Sequence, residues 1–102
     1  MNFGKMMKQA QQMQAKMAEV QEQLKSETVE ASAGGGAVKV VMTGDLRLQS
    51  LELDPAAVDP DDIEILQDMI AAAVNEGLRA AQELAAQRMS AATGGMNIPG
   101  LM

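Results

Sequence analysis

Three lysines, Lys5, Lys8 and Lys16, are the only charged side chains among the first 18 residues of this chain. Ammonium groups clustered without carboxylates can act unaided in one way: they neutralise an external polyanion such as a nucleic-acid backbone. The segment carries +3, while the remainder carries −9 of the net −6. Arg79 and Arg88 join the same patch if the end of a later helix lies beside it. The competing interpretation is a solvated face that only keeps the chain soluble. Duplication shifts the balance, because a second copy doubles the phosphate contacts without any change in sequence.

Other chemistry is poorly supplied. The chain has no Cys and no His, which removes the most reactive nucleophile, the commonest general base and the commonest metal ligand. The acids Asp54, Asp59, Asp61, Asp62 and Glu64 have oxygen ligands for a divalent ion, but they lack a spaced ligand pattern and are better read as helix caps. Gly34-Gly35-Gly36 lacks the GK[ST] ending of a phosphate loop and precedes a strand where such a loop opens a helix, so it reads as a turn. No enzyme, cofactor, metal or small-molecule substrate is expected. Nor is a membrane partner, since no apolar run is long enough to span a bilayer or serve as a signal segment, and a cytoplasmic location follows.

The elements that position the lysines come from hydrophobic spacing. At 102 residues there is room for one domain. Phe3, Ala10, Met17 and Leu24 share one heptad position, and Met6, Met13 and Val20 the other, predicting a helix over about 2–25 with a narrow coiled-coil seam. Such a helix outreaches a small sheet, so part of the seam, including Met6, Met13 and Met17, needs a second helix. Segments 28–33, 37–43 and 46–53 alternate or are β-branched and are separated by glycine turns, which predicts a three-stranded antiparallel meander. Asp59-Pro60 marks the start of a second helix over about 59–89. Within it Ala73 and Gly77 make a small-residue face where another copy's helix can approach. The fold class is α+β, in the order α-β-β-β-α, with a single domain over 1–89 and a flexible tail over 90–102. One aromatic residue and ten methionines give a small, adaptable core, which favours an oligomer.

Four stretches together, NFGKMMKQAQQMQAKMAEVQEQL, SAGGGAVKVVMTGDLRLQSLEL, ELDPAAVDPDDIEILQDMIAAAVNEGLRAA and the tail GGMNIPGLM, closely resemble the YbaB/EbfC family of bacterial nucleoid-associated proteins. The resemblance covers essentially the whole chain. It implies a tweezer-like homodimer whose projecting helices contact double-stranded DNA, located in the nucleoid. By position it makes Lys5, Lys8 and Lys16 the candidates for backbone contact, with Arg88 a weaker one. A second interpretation stays open: a protein-interaction module docking helices of a replication or recombination protein, with DNA binding secondary.

Overall fold

The computed structural model describes residues 2–93. Their order is α1 (Phe3–Leu24), β1 (Thr28–Ala33), β2 (Val38–Thr43), β3 (Leu48–Leu53) and α2 (Ile63–Ala92), with short 3-10 turns at Gly34–Gly36 and Pro55–Ala57. This is the expected α-β-β-β-α order. The sheet is an antiparallel meander, β1-β2-β3.

Local chemistry sets the boundaries. Asn2 caps α1 by accepting from the Lys5 amide at 3.3 Å. The β1–β2 turn requires glycine, because Gly34, Gly35 and Gly36 all have positive φ (65°, 68° and 97°), and a side chain at Gly34 would run into the Met69 thioether. In β3 the register slips between Val41 and Met42, so that Ser50 faces Val41 and Leu48 faces Met42. The slip leaves Gln49 between them as a bulge. It also keeps Leu48 on the same face as Leu51 and Leu53, which simple alternation would not do.

The second helix starts later and ends later than its sequence signals predict. Asp59 does not cap it: its carboxylate accepts from the Asp61 amide at 2.9 Å, its carbonyl accepts from the Asp62 amide at 2.9 Å, and Pro60 occupies the turn between. A Pro after Asp suits position i+1 of a turn as well as the first position of a helix, and here the turn prevails. Asp62 is the cap, accepting from Ile65 at 3.4 Å, while Asp54 caps the preceding 3-10 turn through Ala56. At the other end α2 continues to Ala92, so part of the expected tail is helical. Residues 94–102 of that tail lie outside the described residues.

The core is thin and made of small side chains. Val38, Val40 and Ala73 are buried together, with Leu66, Met69, Ile70 and Val74 packed around them. Burial of Met42, Ala81, Val20 and Leu24 extends it. Helix α2 lies over β1 and β2 and leaves β3 almost untouched. The approach is close: a Cβ placed on Gly77 would sit 3.0 Å from a Val40 methyl, with Met42 and Ala31 beside it. The face at Ala73 and Gly77, expected to admit another copy's helix, is therefore occupied by the chain's own sheet. Both residues are buried within the subunit.

Among the described residues, helix α1 is held only at its root. Val20 and Leu24 are its buried residues. Beyond Leu24, the Glu27 carbonyl accepts from the Gly44 amide at 2.9 Å, and the Glu27 carboxylate takes a forked contact from Arg88, with Nε at 2.9 and 3.1 Å and Nη2 at 2.7 Å. That hydrogen bond, helped by the guanidinium charge and opposed by partial burial, lowers the Glu27 pKa from its ordinary value of 4.5.

Two predictions follow from this join. Gly44→Ala places a methyl 2.8 Å from the Leu24 carbonyl oxygen, so urea denaturation should show a loss of about 1–3 kcal/mol, the usual cost of overpacking; an unchanged midpoint would mean that the root is not tightly packed. The second concerns acid. A carboxyl whose pKa is lower when folded stabilises the fold above its unfolded value and loses that contribution as pH falls through the folded one. The difference in melting temperature between the native chain and Glu27→Gln should hence be steady near neutrality and narrow below pH 4.5.

Candidate nucleic-acid interface

At the regular helical rotation of about 100° per residue, Lys5, Lys8 and Lys16 fall within an arc of about 80° on α1. They form a row about 16 Å long at the usual rise, enough to cross a groove of duplex DNA about 12 Å wide. All three are exposed. Gln9 and Gln12 lie on the same flank, and the shallow hollow they share with Met13 and Lys16 is lined by α1 alone. The last turns of α2 reach only as far as Lys16, where Arg88, Ala91 and Ala92 face Glu19, Val20 and Gln23 across a groove. Outward of that groove α1 projects as an arm.

The pairing of cations separates this arm from the body. Of the eight Lys and Arg residues, four contact carboxylates: Lys25 with Glu22, Arg47 with Asp45, Arg79 with Glu76 and Glu83, and Arg88 with Glu27. Lys5, Lys8, Lys16 and Lys39 have no carboxylate within ion-pair distance among the described residues. Lys39 stands opposite Glu52 in the strand register, which leaves the arm lysines as the uncompensated set. Arg79 is saturated: the hydrogen bonds it donates to Glu76 first and Glu83 second raise its pKa, and the same contact lowers that of Glu76. Arg88 differs from the three lysines, because its guanidinium is committed to Glu27 and it sits at the arm's root.

The heptad seam divides in the same way. Its inner end, Val20 and Leu24, is buried on the chain's own sheet, while Phe3, Met6 and Met17 are 74, 50 and 39% exposed and Met13 is half-buried. A further apolar row does not figure among the sequence-derived interface residues. Leu48, Leu51 and Leu53 face the same way as Met42, Val40 and Val38, yet without a helix above them they stay 36–48% exposed. The signal for it is the four leucines of LRLQSLEL in a chain whose second helix is barely wide enough for two strands. Val58, Ile63 and Ile65, where the chain enters α2, are also exposed.

No group of metal-ligating side chains is present among the described residues, and none of the helices is long and apolar enough to cross a membrane. Known proteins resemble the chain along nearly its whole length. A nucleoid-associated protein of Pelotomaculum thermopropionicum is 55% identical over 100 residues, covering 98% of this chain and 95% of its own. One from Syntrophobacter fumaroxidans is 57% identical over 95 residues, covering 93% and 86%. The crystal structure of an uncharacterised protein from Helicobacter pylori superposes with a TM-score of 0.77 at 25% identity, covering 95% of this chain and 99% of that one. Residues 1–96 match the model of the YbaB/EbfC DNA-binding family, and with that match, these relatives and the shared fold, the chain belongs to this family.

Proposed function

We propose that the protein binds double-stranded DNA as a homodimer, through its α1 arms and with weak sequence preference, and so contributes to nucleoid organisation and gene regulation. The observation that carries this reading is the uncompensated row of Lys5, Lys8 and Lys16 on a projecting helix, in a chain whose other cations are mostly paired. Phosphate contacts of this kind position a protein without reading bases. Few Asn and Arg side chains on the arm leave little for bidentate base readout, and one aromatic residue leaves little for stacking on single strands. The relatives' description as nucleoid-associated proteins supports a location on the bacterial chromosome.

The dimer accounts for the surfaces that one copy leaves open. Leu48, Leu51 and Leu53 form an apolar row on an edge strand, a surface that soluble chains seldom leave uncovered; a second copy covers it and brings two arms into one particle. Met6, Met13 and Met17 then serve contacts between helices of the two copies. The same leucines support the rival reading, a docking site for a replication or recombination protein. The solution mass decides between them, because only self-association gives twice the chain mass in the purified protein.

Lys5→Glu combined with Lys8→Glu should weaken binding to a labelled duplex of about 30 base pairs more than tenfold at low salt, with the mass unchanged; retained affinity would remove the arm from the mechanism. For the native protein, log affinity should fall linearly with log salt, with a slope corresponding to roughly three to six phosphate contacts. Leu48→Glu with Leu51→Glu should give a folded monomer by light scattering, since both side chains are already exposed in the single chain. A dimer surviving that change would place the interface elsewhere.

A further inference from the structure

Arg88 has the charge of a phosphate contact but not its situation. Its fork on Glu27 joins residues 61 positions apart, whereas the other side-chain hydrogen bonds among the described residues span four positions or fewer. Glu27 is also the point where three elements meet. It follows α1, its carbonyl is tied to the β2–β3 turn at Gly44, and its carboxylate is tied to α2. Burial of Val20 and Leu24 seats the last turns of α1. Beside and outward of them, an open groove lined by Lys16, Glu19, Gln23 and Arg88 separates the facing side chains of α1 and α2, so the Glu27 fork is the polar contact that ties the arm to α2.

From this placement we infer that Arg88 is a positioning residue: with Glu27 it clamps the root of the arm to α2 and sets the angle at which Lys5, Lys8 and Lys16 meet DNA. The leverage is large. Lys5 lies about 28 Å along the helix from Leu24 at 1.5 Å per residue, so a swing of about 10° at the root moves it about 5 Å, more than the rise between successive base pairs. A forked Arg–carboxylate contact suits the task, because two parallel hydrogen bonds fix orientation as well as distance. The inference rests on the arm-binding reading for its DNA arm, but the angle itself can be measured without DNA.

Glu27→Ala separates the two roles of Arg88, because it frees the guanidinium and removes one negative charge. If Arg88 were a phosphate contact, affinity for the duplex should rise. The clamp requires affinity to fall about three- to tenfold. Labels at Gln9→Cys and Ser50→Cys, specific because the chain has no cysteine of its own, and diluted with unlabelled protein, report the arm-to-sheet distance within one chain by spin-label spectroscopy. That distribution should shift or broaden in Glu27→Ala and in Arg88→Glu, while far-ultraviolet circular dichroism stays unchanged. The reversed pair, Glu27→Arg with Arg88→Glu, should recover both the native distance and most of the affinity lost in Arg88→Glu alone. An unmoved distance in Glu27→Ala, tighter binding by that variant, or a reversed pair no better than Arg88→Glu would each overturn the clamp. Lys5→Glu with Lys8→Glu is the control for the underlying reading: unchanged affinity there condemns the arm mechanism, while the distance measurement still judges the clamp.

Discussion

The close seating of α2 on β1 and β2 is the constraint on which the rest of the structure depends. Ala73, Gly77 and Ala81 let the helix backbone come down onto the sheet, and Val38 and Val40 are wholly enclosed beneath it. Small side chains bring the layers together, but they cover little width. A single helix seated so low shields two strands and not the third. The exposed leucines of β3 and the shallow anchoring of α1 are two results of the same economy, since among the described residues no further helix remains to cover either.

Charge follows the same division. Many of the body's acids sit at caps or in ion pairs: Asp54 and Asp62 hold helix starts, and Glu27, Glu76 and Glu83 hold arginines. These groups are engaged in keeping the fold together. The lysines of the arm contribute nothing comparable to stability, so their charge is free for an external partner. A protein can thus be acidic overall and still present a cationic surface, provided the two populations occupy different elements.

Periodicity made the architecture legible, because α1, β1, β2 and α2 each turn a face inward with its own period. The ends of α2 were harder to read. Asp59-Pro60 is an equally good start for a turn and for a helix, and only the chain's path from β3 decides between them. Small residues were ambiguous for a similar reason: Ala73 and Gly77 announce a close approach, but sequence does not say whether a sheet or another subunit makes it. The lysine row could be placed from spacing alone. The commitment of Arg88 to Glu27 could not, since it joins two helix termini across most of the chain. The leucines of β3 share a face only because of the bulge at Gln49, a break in alternation that conceals the row from a period-two reading.

The length of the arm has a consequence for how the molecule is felt from outside. Lys5 stands about 21 Å along the helix from Glu19, the carboxylate nearest to it in sequence. At physiological ionic strength the Debye length is about 8 Å, so the negative potential of the body has largely decayed before it reaches the tip. The neutral Asn2 cap and a first turn without acids leave the positive end of the helix macrodipole uncompensated there, whereas Asp62 and Glu64 offset that of α2. An approaching polyanion therefore meets the local field of the arm rather than the net charge of the chain, and the helix acts as a spacer that insulates a cationic tip from an acidic base.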